Sequence, residues 1–312
     1  MRSAPILFAV LLAVLGDSYA SMSMPDYTLV FADAVAPPAA PVARTTPASP
    51  AALPDASPSA AAPTTIWIDA AVADLRAAMV REVPDQLAVR PQDEPDWNRL
   101  VAGQLAAAGR TIDQPQLLVT VDRNPAVQQL RIVLAQPGTP WLLIGATRVS
   151  TGEPGLTGHY KTPVGVFEHT KHIIDYRAAG TFSRRHHLRG LGVKGMRVWD
   201  FGWRTTEDWR ERNAWTRIRL EIHATDPDTL ERQIGQPVSK GCVHVSAALN
   251  RFLDRHGIID AAYEQAAQTD GRYRELLLTG RMPTPLAGTM LVVFDSSQPD
   301  AADPSRPMAG TI

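Results

Sequence analysis

The chain has 312 residues, with 31 Lys plus Arg against 32 Asp plus Glu and a formal net charge of −1. That balance offers no long-range attraction to nucleic acid or to an anionic membrane, so neither is expected as a partner. Hydrophobic residues make up 45%, as in ordinary globular proteins, and the single cysteine excludes an internal disulfide.

Residues 1–20 carry a short positive start at Arg2, an apolar run over 6–15, and small residues at Ser18 and Ala20. This is the three-part pattern of a cleaved secretory signal, and the run is too short to span a bilayer. The mature protein is therefore expected to be exported and soluble outside the cytoplasm, with no membrane span. Residues 32–65 are dominated by Ala, Pro, Ser and Thr, which cannot bury enough surface to offset ordering entropy, so they read as a disordered linker. Over 66–112, Ile68, Val72, Leu75 and Met79, then Trp97, Leu100, Val101 and Leu105, recur at helical spacing. The segment is either a small helical module or an extension packed on the main domain.

From Gln116 the pattern changes to short apolar runs at 116–121, 128–135, 141–147, 217–222 and 289–295, which predict strands. One helix is predicted between the last two, with Ser246 as cap, Leu249, Phe252 and Leu253 as its buried stripe, and Gly257 as stop. Many strands and few helices predict a mainly β domain over 116–296, followed by a disordered tail at 297–312.

The chemistry centres on Cys242 in Ser239-Lys240-Gly241-Cys242-Val243-His244. An unpaired exported cysteine is a small buried residue, an intermolecular pairing site or a reactive sulfur. His223 favours the last. In 217–222 the apolar residues take alternate positions, so Arg217, Arg219, Glu221 and then His223 share the other face, and His223 is expected to leave the strand end where a substrate can reach it. Gly241 lets the backbone approach a ligand, and neighbouring N–H groups could hold an oxyanion. An imidazole helped by a helix N-terminus is expected to lower the thiol pKa and supply a thiolate.

His223, a gap, then Ser239-x-Gly241-Cys242-Val243 resembles the signature of the L,D-transpeptidase family with its YkuD-type catalytic domain. Ser150-Thr151-Gly152 followed by 162–167 (TPVGVF) is similar to that family's strand–loop segment ahead of the site. The resemblance covers roughly 116–295. It implies a YkuD-like β-rich catalytic domain, with peptidoglycan stem peptides as partners and a periplasmic, wall-associated location. Cys242 would attack the diaminopimelate carbonyl of a tetrapeptide and expel D-alanine, with His223 as general base and then acid. Gly241, Cys242 and Ser239 would form the oxyanion turn. The acyl group would pass to an amine, and a carbapenem would acylate Cys242. No cofactor or metal is implied. His244 stands where the family usually has Arg, and a backbone carbonyl at Ala224, or Asp226, would orient the imidazole.

Substrate-binding candidates are His244, Tyr160, and Arg184 and Arg185 in the basic stretch 170–194, which could be a lid or a solvated loop. Trp199, Trp203, Trp209 and Trp215 line a groove or fill the core. The alternatives are an L,D-carboxypeptidase, a sortase-like acyl transferase, which lacks its strand signature here, and a wall-binding pseudoenzyme. Papain-like hydrolases place Cys before His, the reverse order.

Overall fold

The computed structural model describes residues 63–184, 187–210 and 214–298, all within the second of the chain's two compact units, residues 58–312. The leader at 1–20, nearly all of the linker and most of the tail lie outside the described residues, as does Arg185. Two helices come first, α1 (Pro63–Glu82) and α2 (Glu94–Ala107). Helix α1 starts inside the stretch read as linker, with Pro63 at its first position, where a missing N–H costs nothing.

Strands β1 (Gln116–Asp122), β2 (Gln129–Ala135) and β3 (Leu142–Arg148) then form an antiparallel meander. After them come β4 (Gly165–Glu168), β5 (Tyr176–Arg177), β6 (Arg197–Asp208), β7 (Ala214–Ala224) and β8 (Val243–Val245). The chain closes with α3 (Ala247–His256), α4 (Ala261–Ala267), α5 (Gly271–Leu276) and β9 (Met290–Phe294). One sheet has the order β3-β2-β1-β9-β4 and the other β5-β6-β7-β8. Both are mixed, because β9 pairs parallel with β1 and β8 pairs parallel with β7. The fold is β-rich with few helices, although helix (26%) nearly equals strand (27%).

The first sheet is apolar on both faces because both are covered. One face, through Leu117, Val119 and Val121, meets α1, α3 and the inner face of the second sheet. The other, through Leu118, Val292 and Phe294, meets α2. Trp97 of α2 packs edge-on against Phe294 at 4.8 Å between ring centroids, and its Nε1–H donates to Thr120 Oγ1 at 2.9 Å. The helical segment is thus packed on the sheet, and each fully buried Leu, Val or Phe there contributes roughly 1.5–3 kcal/mol. No helix among the described residues is long and apolar enough to cross a membrane.

Helix α3 is capped by Ser246, whose Oγ accepts the Leu249 N–H at 3.2 Å, and it ends at Gly257 in the left-handed region at φ 59°. Strand β6 did not read as a strand because a bulge between Asp200 and Trp203 breaks its alternation. Strand β5, only two residues long, falls inside the stretch read as a lid or loop. It is tied down by Arg177, which donates to Asp254 Oδ2 at 2.7 Å and to Leu276 O at 2.6 Å.

Candidate active site

The outer face of the second sheet assembles the site. Period-two geometry puts Glu221 and His223 side by side on β7, and the β6 register sets Asp200 opposite Glu221. On the other flank, His223 is opposite His244, so Cys242, one residue before β8, falls beside Glu221. The Cys242 sulfur, a Glu221 oxygen and a His223 ring nitrogen all lie within 4.8 Å of one another. His223 Nδ1 is 2.8 Å from Ala224 O, so a main-chain carbonyl fixes the ring, and Nε2 is the nitrogen left with a lone pair. Asp226 takes no part in this, since its carboxylate accepts from the Arg189 backbone and side chain.

The turn that carries Cys242 is held from the side by the Ser150-Thr151-Gly152 segment. Ser150 and His244 exchange two main-chain hydrogen bonds, at 3.0 and 2.8 Å. Ser239 N donates to Thr151 O at 3.0 Å, and Glu153 N donates to Ser239 O at 2.9 Å. Buried Gln128 locks Thr151 in turn, accepting its N–H at 2.7 Å. Gly152 is obligatory, because a Cβ there would sit 1.8 Å from Tyr160 O. Gly241 has φ +131°, a region open essentially to glycine, and its Cβ would fall 2.4 Å from Ile218 Cδ1.

The geometry corrects several sequence expectations. Gly241 N–H is not a free oxyanion donor, because it donates to Ser239 Oγ at 3.0 Å, and that hydroxyl donates on to Cys242 O at 2.6 Å. Ser239 therefore shapes the turn, and the Cys242 N–H is the remaining donor candidate. His223 does not leave the strand end toward solvent; it lies within β7 and is only 4% exposed. The helix N-terminus does not serve the thiol, because β8 intervenes and the first-turn N–H groups go to Ser246 Oγ and Glu231.

Electrostatics follow from that placement. Burial, then the Glu221 and Asp200 carboxylates, push the Cys242 thiol up to about 12, the reverse of the expected lowering. Burial pushes His223 down to about 4, and burial with the neighbouring His223 pushes His244 well below the ordinary histidine value. The resting pair is a neutral thiol beside a neutral imidazole. The thiol's hydrogen-bond partners among the described residues are Arg219 O at 3.5 Å and Glu221 Oε2 at 4.0 Å. Glu221 itself is raised, mainly by burial.

His244 is a neighbour of the His223 ring, 4.5 Å away between centroids, and carries no charge with which to hold a carboxylate. Tyr160 is half-buried beside the turn, with its ring under the Arg210 guanidinium at 5.4 Å. Arg184 is exposed and has no described contact with Cys242, His223 or Glu221. The tryptophans divide: Trp199 is fully buried, Trp209 donates to His159 O at 2.6 Å, and Trp203 and Trp215 are exposed.

Sequence reasoning missed three features. Tyr176 of β5 donates its hydroxyl to Glu221 Oε1 at 2.8 Å. A buried network of His169, Asp175, Arg197 and Asp260 underlies the site, with Asp175 accepting the Asp200 N–H at 2.9 Å. Arg197 fills the space between those carboxylates, so they do not form an open metal site. Beyond Arg219 lies a cleft of about 610 Å³ lined by Arg110, Glu168, His172, Arg204, Arg217 and Arg219 among others. Arg110 is paired with Glu168 and Arg219 with Asp200, which leaves Arg204 and Arg217 without an ion-pair partner among the described residues. The Arg204 Nε is buried without a hydrogen-bond partner.

No family model matches the chain, and no curated protein matches it.

Proposed function

We propose that the chain is a cysteine acyltransferase of the L,D-transpeptidase type, with a YkuD-like domain, acting on peptidoglycan stem peptides outside the cytoplasmic membrane. The observation that carries this reading is the convergence of the Cys242 sulfur and a His223 nitrogen within 4.8 Å, on a ring oriented by a carbonyl. The Ser239-x-Gly241-Cys242 turn braced by the Ser150-Thr151-Gly152 segment adds support. So does the β-rich fold.

Because the resting pair is neutral, proton transfer accompanies attack. The thiol proton passes to His223 Nε2 as sulfur bonds to the diaminopimelate carbonyl. The developing oxyanion faces the Cys242 N–H. The C–N bond then breaks and D-alanine leaves with the proton from the imidazolium, giving a thioester. Arg204 and Arg217 line the adjoining cleft, whereas Arg184 does not, so they suit the donor's carboxylates better.

The raised thiol pKa favours a second reading, a wall-binding pseudoenzyme that holds stem peptide without turnover. Incubation with a carbapenem separates the two. Intact mass should rise by one inhibitor in the wild-type protein, more slowly in His223→Gln, and not at all in Cys242→Ala. An unmodified wild-type mass after prolonged incubation would favour the pseudoenzyme.

A further inference from the structure

We propose that Glu221 is the acceptor-binding group of this site, pairing with the ammonium of the incoming amine and so directing the acyl-enzyme to an amine rather than to water. The inference rests on the acyl-transfer reading and deepens it by assigning the residue that receives the amine.

The two oxygens of Glu221 are differently placed. Oε1 accepts the Tyr176 hydroxyl at 2.8 Å, while Oε2 faces the Cys242 sulfur at 4.0 Å. The nearest cation is shared and sits at the other oxygen: the Arg219 guanidinium donates through Nε to Asp200 Oδ2 at 2.8 Å and makes a longer ion pair, 3.8 Å, with Glu221 Oε1, which leaves Oε2 to the thiol. In the resting enzyme the thiol is the donor facing Oε2. Acylation replaces S–H with a thioester sulfur, which has no proton to give. A largely buried carboxylate is then left with an unmet acceptor beside the reactive carbonyl, an arrangement that is costly until a donor arrives. Water brings a donor but no charge. An alkylammonium brings both, and a charged hydrogen bond is the stronger partner for a carboxylate in a low-dielectric site. Glu221 and His223 share a face, so one nitrogen can reach both groups.

The proton balance closes. Glu221 Oε2 takes one proton from the ammonium and leaves an uncharged amine. The nitrogen lone pair attacks the thioester carbonyl, and His223 Nε2 takes the second proton as the C–N bond forms. The C–S bond then breaks, the imidazolium returns that proton to sulfur, and Glu221 releases its own to solvent.

The test measures partition of one acyl-enzyme among acceptors. Wild-type, Glu221→Gln and Glu221→Asp proteins are given disaccharide-tetrapeptide donor with ethylamine, which is protonated at neutral pH, or with hydroxylamine, which is not. Mass spectrometry reads amide, hydroxamate and free acid. The expected result for Glu221→Gln is a fall of about tenfold or more in the amide-to-acid ratio. The hydroxamate-to-acid ratio should hold within about twofold, with Glu221→Asp intermediate for the amide. Hydroxamate formation also reports that the variant site is folded. Parallel loss of both ratios, or loss of neither, overturns the inference while leaving acyl transfer standing. Failure of the wild-type protein to acylate Cys242 overturns both.

Discussion

Cys242 is the only cysteine in the chain, so its ionisation can be followed directly by thiolate absorbance near 240 nm, with Cys242→Ser as the blank. An ordinary thiol titrating at 9.0 would be roughly 3% thiolate at pH ~7.5, whereas one at about 12 is roughly 3 parts in 100,000. The thiolate step is therefore expected well above pH ~9, with an alkylation rate by iodoacetamide that climbs with pH and shows no plateau at neutrality. Glu221→Gln should move the step downward by removing the adjacent carboxylate. It should leave the step above the free-thiol value, because burial is the larger cause. A thiolate step between pH ~5 and ~8 would refute the neutral-pair assignment, and with it the claim that proton transfer accompanies attack.

Three further predictions follow from the same geometry. His223 held down at about 4 stays neutral while the unfolded chain takes up a proton below its ordinary 6.5, so stability is flat above that pH and falls toward 4, by roughly 3 kcal/mol. Urea unfolding of wild-type and His223→Gln proteins at neutral and acid pH should show the wild type losing that much more, and equal losses would contradict it. Arg197→Met takes the guanidinium from buried Asp175, which keeps only His169 as an ion-pair partner among the described residues, while Asp260 still pairs with Arg281, and should cost about 3–5 kcal/mol by the same assay; a change below about 1 kcal/mol would show that the network is not held by that charge. Arg217→Ala should raise KM for the tetrapeptide about tenfold while kcat changes little, because the residue lies in the adjoining cleft and away from the thiol. A selective drop in kcat would place it elsewhere in the cycle.

Much of the site was legible in the sequence. Alternation in 217–222 put Glu221 and His223 on one face without any structure, and Ser246 and Gly257 marked the ends of α3. Glu221 could have been singled out by the same alternation, since it is the carboxylate nearest His223 on that face. Tyr176 and Asp200 could not. One belongs to a two-residue strand, and the other precedes a bulge that destroys the periodic signal. The pKa of Cys242 was misjudged because burial depends on long-range packing, whereas the motif shows only the nearby histidine. Gly241 was correctly tied to the turn, but its N–H was assigned to an oxyanion when the Ser239 hydroxyl already uses it. The buried His169–Asp175–Arg197–Asp260 network joins residues up to 91 positions apart, a contact that no local pattern encodes.

The central claim is that the Cys242 thiol transfers an acyl group taken from a stem peptide. Intact mass spectrometry of the protein mixed with disaccharide-tetrapeptide, beside Cys242→Ala, tests it most directly. The account predicts release of D-alanine together with a thioester adduct on the wild-type chain, and neither with the variant. Binding of the peptide to both proteins with no adduct and no released D-alanine would contradict it.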